Sequence, residues 1–380
     1  MTAVEQVTWV EVSQTKHALW RSENATKAPQ RLIVVDDTIT ADSAYRYACE
    51  GVAMLWRGDY QNARQLIQAM RRRLDKKPKS AKKPISTFPE TFHLYRQSQL
   101  QRARILGMLL IPLDEQFEIT LSRAPNVRQA CLEAYGQTQE ASLVSLRELL
   151  GVIGAHEWRK NGVDVPVLGA KIYPHYGVFS PIRGEYLELI AQAPLPKTKL
   201  AFDIGTGTGV IAALLAKRGI EKVIATDSSD SAITCANENI QRLGLQKQVE
   251  IVKADLFPVG KAGLIVCNPP WLPASANSTL DHAIFDPNSR LLKGFLAGLS
   301  EHLDKEGEAW LIISDLAEHL KLRTREQLLS AIEEAGLYVV EKRDIKPHHA
   351  KVMEQDDPLH AARKAELTSL WVLRLKGSYI

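Results

Sequence analysis

From Lys199 onward, short apolar runs alternate with stretches whose apolar residues recur at helical spacing. The runs read as strands over Leu200–Asp203, Lys222–Asp227, Val249–Ala254, Gly263–Cys267, Ala309–Ser314, Tyr338–Lys342 and Ser369–Leu375. Helices fit between most of them, for instance Val210–Arg218 and Ser229–Leu243. That alternation predicts a doubly wound α/β sheet. The last two strands are separated only by the polar, loop-like Pro347–Glu366, so they are expected to form an antiparallel edge.

The first half reads differently. Ala41–Trp56 places Ala44, Ala48, Val52 and Leu55 at helical spacing, and Gly58-Asp59 breaks the pattern. Tyr60–Leu74 puts Ala63, Ile67, Met70 and Leu74 on one helical face. Lys76–Pro89 is rich in proline and lysine and reads as a linker or exposed loop. Phe92–Leu110 is again helical, Phe117–Ser122 reads as a short strand, and Val127–Tyr135 and Ala141–Trp158 as further helices. Val165–Pro181 mixes Pro, Gly and β-formers as a small hairpin or extended connector does, and a helix over roughly Gly184–Gln192 follows. The expected organisation is a mostly helical N-terminal domain for substrate recognition (1–164), a β connector with a helix (165–198) and an α/β domain (199–380).

Composition narrows the class. With 380 residues, 45% hydrophobic and 24% charged, the chain has room for two globular domains. It holds no apolar run long enough to span a bilayer, and the opening MTAVEQVTWVEV lacks the pattern of a signal peptide. Cys49, Cys131, Cys235 and Cys267 are scattered, with no CxxC pair, which suits a reduced cytoplasm and argues against a zinc site or disulfide framework. The net charge of +4 is unevenly placed: residues 1–170 carry 23 Lys+Arg against 18 Asp+Glu. The excess lies in RRRLDKKPKSAKK, where Arg71, Arg72, Arg73, Lys76, Lys77, Lys79, Lys82 and Lys83 stand against one acid. That strip reads either as a solvated helix end running into a linker or as a contact for RNA or DNA phosphate.

Four short motifs carry the chemistry. Asp203-Ile-Gly205-Thr206-Gly207-Thr208-Gly209 lies between an apolar strand and a helix. Its glycines permit a sharp turn and close approach to a ligand, and the helix start offers free amides. A dinucleotide fold wants Gly or Ala where Val210 stands, so an adenosyl cofactor fits better than a nicotinamide. Asp227 ends the next strand about 20 residues on, where a carboxylate suits ribose hydroxyls, although Ser228, Ser229 and Asp230 mark the same place as a helix start. Asp255, with Leu256 behind it, ends the third strand, where it could meet an adenine edge. Asn268-Pro269-Pro270-Trp271 follows the apolar run GLIVC. The Asn268 carboxamide oxygen and the Pro269 carbonyl can accept two hydrogen bonds from one amino group and aim its lone pair. The prolines stiffen the loop, and Trp271 offers a flat face to a planar acceptor.

DIGTGTG, ATD, KAD and NPPW in this order resemble the class I S-adenosylmethionine methyltransferases, and within them the subgroup with an NPP-aromatic motif, which methylates exocyclic or amide nitrogens. The resemblance covers about Tyr173–Lys376. It implies a Rossmann-like seven-stranded sheet with a reversed final strand and S-adenosylmethionine as cofactor, with no metal. Asp203, Gly205, Thr206, Gly207, Thr208 and Gly209 would lie under its methionine part. Asp227 would hold the ribose, Asp255 and Leu256 would lie by the adenine, and Asn268, Pro269, Pro270 and Trp271 would bind the acceptor nitrogen. Phe179, Ser180 and Pro181 would cover the cofactor.

The layout is similar to release-factor glutamine methyltransferases, with NPPWLP like their NPPY loop. Trp271 replaces their commoner Tyr, Leu256 stands where they often carry Trp, and GVFSPIRGE departs from their PRPET-like segment. GVFS resembles a segment of the ribosomal RNA guanine-N2 methyltransferases.

The expected function is methyl transfer to a planar nitrogen, first a glutamine amide of a protein. An exocyclic base amino group in RNA or DNA (guanine N2 or adenine N6) is the alternative, and a non-catalytic binding module the further one. The partner is therefore a macromolecular methyl acceptor, protein or nucleic acid.

Overall fold

The computed structural model describes residues 5–22, 26–75, 88–181, 184–275, 283–347 and 357–377. Two compact units divide the chain, 1–157 and 158–380. Among the described residues no helix is long and apolar enough to cross a membrane.

The N-terminal unit is α/β, which corrects the mostly helical expectation. Its strands are β1 (Gln6–Glu11), β2 (Gln14–Arg21), β3 (Leu32–Val35), β4 (Ala53–Trp56), β5 (Leu109–Leu113) and β6 (Ser142–Ser145). They form one mixed sheet in the order β1-β2-β6-β5-β4-β3. Its helices are α1 (Ala41–Cys49), α2 (Tyr60–Leu74), α3 (Phe88–Leu106), α4 (Arg128–Tyr135) and the start of α5 (Leu146–Asn161). The expected helices over Ala41–Trp56 and Ala141–Trp158 each fuse a real helix with a buried strand, β4 or β6. The expected strand over Phe117–Ser122 is a turn, with Phe117 at a left-handed φ of 61°. The helix α2 matches its expected bounds and is capped by Asp59, whose side chain accepts from the Gln61 amide.

In the C-terminal unit the connector forms a small antiparallel pair, β7 (Val163–Val165) with β8 (Ala170–Ile172), followed by α6 (Glu185–Gln192). Then come β9 (Leu200–Ile204), α7 (Val210–Lys217), β10 (Lys222–Asp227), α8 (Asp230–Arg242), β11 (Val249–Lys253) and β12 (Ala262–Cys267). The chain continues through α9 (Arg290–His302), β13 (Leu303–Ser314), α10 (Leu316–His319), α11 (Arg325–Glu334), β14 (Leu337–Ile345), α12 (His360–Ala365) and β15 (Thr368–Leu375). All seven expected strands join one sheet, ordered β11-β10-β9-β12-β13-β15-β14. The strand β15 is antiparallel to both neighbours and lies between β13 and β14. The last two strands thus form the expected antiparallel edge of the sheet, with β14 outermost.

Alternation along the strands sends side chains to two cores, as the period of two in a pleated strand requires. Ala201, Leu264, Val266 and Trp310 pack with residues of α6, α7 and α8. Phe202, Ile265, Cys267 and Leu311 pack with residues of α9 and α11. Helices thus cover both faces, and the strand order reverses between β9 and β12. Ligands in open α/β sheets bind in the crevice at such a switch point, beyond the carboxyl ends of the strands.

Candidate active site

The last residues of β9 and β12 face each other in register, Ile204 opposite Cys267. Gly205 and Asn268 come next on the two chains, so adjacent strands carry the glycine turn and the NPPW turn side by side. Gly205, Gly207 and Gly209 all take positive φ, at 72°, 55° and 80°, a region open mainly to glycine. A Cβ on Gly205 or Gly207 would meet nothing within 4 Å, whereas one on Gly209 would press on Ala236 Cα at 3.3 Å. The first two glycines therefore border open space, and the third lets α7 pack tightly on α8.

The loop is held from several sides. Asp203 is fully buried, and its Oδ2 accepts from Thr206 Oγ1 at 2.6 Å and from the Ala212 amide at 3.1 Å. Burial pushes the Asp203 carboxyl up to about 7, against those two hydrogen bonds, and the nearby Asp227 charge pushes the same way. Asp227 accepts from the Gly207 amide at 3.0 Å and from the Ser229 amide at 2.9 Å. The carboxylate expected to read a ribose thus also anchors the glycine turn, and Ser229 is the residue that caps α8. The Thr208 side chain is buried, and its carbonyl accepts from Asn239 Nδ2 at 3.0 Å.

Asn239 is a site residue that the sequence reading missed. It is buried on α8, where its Oδ1 also accepts from the Tyr173 amide at 2.8 Å. One carboxamide thereby ties the connector to the glycine loop. A polar residue on the buried face of an otherwise amphipathic helix was the available signal. His175, beside it, meets Glu238 at 2.9 Å, and Arg159 donates to the same carboxylate at 2.8 Å.

Among the described residues, three buried oxygens on the connector, its helix and β9 have no hydrogen-bond partner: Ser180 Oγ, Glu185 Oε1 and Asp203 Oδ1. Glu185, also missed, opens α6; burial raises the adjacent Tyr186 phenol, and the charges of Asp203 and Glu185 push the same way. Buried acceptors left unpaired cost about 1–3 kcal/mol each. A ligand presenting an ammonium group would satisfy them, and the open space over Gly205 and Gly207 leaves room for it. The residues present therefore fit an adenosyl cofactor with a free amino-acid end.

Asn268 and Pro270 are half-buried and Pro269 is buried. The Trp271 indole N–H donates to Asn268 Oδ1 at 3.0 Å. This bond fixes the rotation of the carboxamide, and an sp² oxygen keeps a second lone pair for another donor. The indole is partly buried and touches the apolar clusters of both sheet faces. Beyond it, Leu272 bridges Phe285, closing the base of the loop, and Asp286 caps α9 by accepting from the Leu291 and Leu292 amides.

Asp255 follows Ala254, whose amide donates to the Asp227 carbonyl at 3.1 Å. The Asp255 side chain is exposed and paired with Arg290 at 2.9 Å. Leu256 takes a φ of 78°, and its carbonyl accepts from Thr226 Oγ1. Of the basic strip, Arg71, Arg72 and Arg73 form the last turn of α2, and Arg73 pairs with Asp42. Lys76, Lys77, Lys79, Lys82 and Lys83 lie outside the described residues, as does the histidine pair at 348–349.

Residues 170–341 match the model of the methyltransferase small domain family. A protein of Methanocaldococcus jannaschii named as a protein N5-glutamine methyltransferase is 29% identical over 160 residues, 40% of this chain and 80% of that protein. A tRNA1(Val) (adenine(37)-N6)-methyltransferase of Bacteroides thetaiotaomicron is 31% identical over 147 residues, 36% of this chain and 60% of that protein. A release factor glutamine methyltransferase of Gloeobacter violaceus is 32% identical over 125 residues, 31% of this chain and 41% of that protein.

Proposed function

We infer, from residues 170–341 matching the methyltransferase small domain family, that this enzyme uses S-adenosylmethionine to methylate a planar amide or amino nitrogen seated at Asn268–Trp271. The observation that carries this reading is the Asn268 carboxamide, one residue beyond the β12 end that pairs with β9 and oriented by the Trp271 indole.

S-adenosylmethionine, when bound, supplies an electrophilic methyl group on a sulfonium. Asp203, Ser180 and Glu185 would hold its ammonium end, Gly205 and Gly207 would leave room for its chain, and Asp227 would accept from its ribose hydroxyls. Asn268 Oδ1 and the Pro269 carbonyl would each accept one N–H of the acceptor's amino group. Held so, the nitrogen lone pair points away from both acceptors and toward the methyl group. As the new N–C bond forms the S–C bond breaks, and the nitrogen sheds one proton to solvent. The gain comes from alignment and from carbonyl dipoles placed where positive charge develops on nitrogen.

Both acceptors expected from the sequence present such a nitrogen. The M. jannaschii and G. violaceus relatives support a glutamine amide, and the B. thetaiotaomicron relative supports adenine N6. The tetrad reads the –NH2 group and its plane, which the two share. Four unpaired thiols suit a reducing cytoplasm for either substrate.

The test is transfer of labelled methyl from S-adenosylmethionine into extracts of cells lacking the protein, followed by separate protease and nuclease digestion. Label on nitrogen in a macromolecule, abolished by Asn268→Ala at unchanged cofactor affinity, is the expected result. Label on oxygen or carbon, or full transfer by the alanine variant, would overturn it. Cofactor binding with no label in any fraction would leave a binding module instead.

A further inference from the structure

Away from the methyltransferase domain, the N-terminal unit carries a groove of about 400 Å³ formed by α2, α3 and the start of α5. Its floor is aliphatic and includes the buried Ile67 and Leu106. Its walls carry four arginines: Arg64 and Arg71 from α2, Arg102 from α3 and Arg147 from α5. Among the described residues, no carboxylate lines it. Arg102 is engaged by Asp75, whose carboxyl it holds below the usual range. Arg64 makes a contact with Gln61 Oε1 at 3.2 Å, and Arg64, Arg71 and Arg147 are all exposed. Gln68 and Gln99 also line it.

We propose that this groove binds the sugar–phosphate backbone of a single RNA strand, which makes RNA the class of macromolecule the enzyme modifies. As a statement about the acceptor it rests on the planar-nitrogen reading; as a statement about binding it stands alone. Asp75 engages Arg102 and lies within electrostatic reach of Arg71, and the exposed guanidinium groups of Arg64, Arg71 and Arg147 still gather positive charge around one concavity, which a polyanion offsets. Seven residues on α2 separate Arg64 from Arg71 by about 10 Å along the helix axis, which suits successive phosphates of a polymer better than one small anion. The charged groups are all guanidinium forks, which match phosphate oxygens in pairs. The two glutamine carboxamides both donate and accept, as recognition of a ribose 2′-hydroxyl requires. A positively charged groove that tracks one backbone suits a single strand, and an unpaired base is also what a stacking site can reach.

The experiment is anisotropy of a dye-labelled, mixed-sequence single-stranded RNA with the full-length chain, without cofactor, across a salt series. Single-stranded DNA of the same sequence and poly-glutamate serve as competitors. The expected result is preferential RNA binding, with a logarithmic salt slope that falls by about 2 in the triple variant Arg64→Gln/Arg71→Gln/Arg147→Gln, about 0.7 for each phosphate no longer neutralised. Affinity at low salt should fall by about tenfold or more, with S-adenosylmethionine binding unchanged by calorimetry. Equal affinity and slope for wild type and variant would overturn the proposal, as would DNA or poly-glutamate competing as well as RNA. Asn268→Ala keeps RNA binding if the two readings are separate. Label entering protein alone would remove RNA as acceptor and leave the planar-nitrogen reading standing.

Discussion

In the C-terminal unit, β9 and β12 lie side by side in the middle of the sheet, and each runs straight into a polar turn, DIGTGTG or NPPW. In the N-terminal unit the neighbours β4, β5 and β6 are as deeply buried, but their ends lead into helices and capping turns. The helix faces of that unit carry its charge instead, as the groove on α2 and α3 shows. Strand burial alone therefore does not mark a catalytic sheet. What marks it is a switch in strand order with a turn of three positive-φ glycines on one side and fixed acceptors on the other.

The sharpest way to break this contrast is to remove the acceptor. Asn268→Ala should lower kcat by about 10²–10³-fold, the usual cost of one preorganised polar group, with cofactor affinity unchanged in calorimetry. A drop in affinity with kcat preserved would move Asn268 from the acceptor to the cofactor.

Asp227→Ala should act the other way. It removes both the proposed ribose contact and the anchor of the Gly207 amide, so S-adenosylmethionine should bind about 30-fold more weakly, from charge-assisted hydrogen bonds worth about 2 kcal/mol. An unchanged dissociation constant would leave that carboxylate a turn residue only.

A smaller effect comes from pH. Because the buried Asp203 carboxyl sits near 7, it is largely protonated at pH 6 and largely ionised at pH 8. The ionised form is the one that attracts an ammonium, so cofactor affinity should rise by up to about tenfold per pH unit below the folded value and level off above it. The empty protein should do the reverse. With the folded value raised above 3.8, this group's stabilising contribution is complete below the unfolded value and is lost as pH climbs through about 7. A flat affinity profile from pH 6 to 8 would exclude Asp203 from holding the ammonium.

The smallest effect belongs to the other unit. Glu11 accepts from Arg57 at 2.8 and 2.7 Å and from the Trp9 indole at 3.1 Å, and Arg57 in particular holds its carboxyl down at about 2. Glu11→Gln should shift urea unfolding by about 1 kcal/mol and leave cofactor affinity untouched. A loss of affinity would mean that the units are energetically linked.

The two halves also differ in how much their sequence discloses. Most C-terminal strands are followed by a turn signal and a separate helix, with β11 running to β12 through a turn alone, so all seven strands could be read, and the turns after β9, β10 and β12 that carry the glycines, Asp227 and Asn268 could be placed with them. In the N-terminal half, AMLW and SLVS are short, buried along their whole length and set against helices, so their apolar runs blended into the helical period. Asn239 and Glu185 escaped because their roles arise from long-range packing of α8 and α6 on the connector, which a local pattern does not contain. The antiparallel edge of β15 and β14 was legible because only the polar, loop-like 347–366 separates the two strands.

The unpaired oxygens of Ser180, Glu185 and Asp203 bear on how the enzyme would be regulated. A pocket that draws its affinity from the amino-acid end of its ligand grips a part that methyl transfer leaves unaltered. The demethylated product keeps that end intact and should compete with fresh donor on nearly equal terms. Turnover would then track the ratio of the two in the surrounding solution rather than the donor concentration alone, and the enzyme would slow wherever spent donor is cleared slowly.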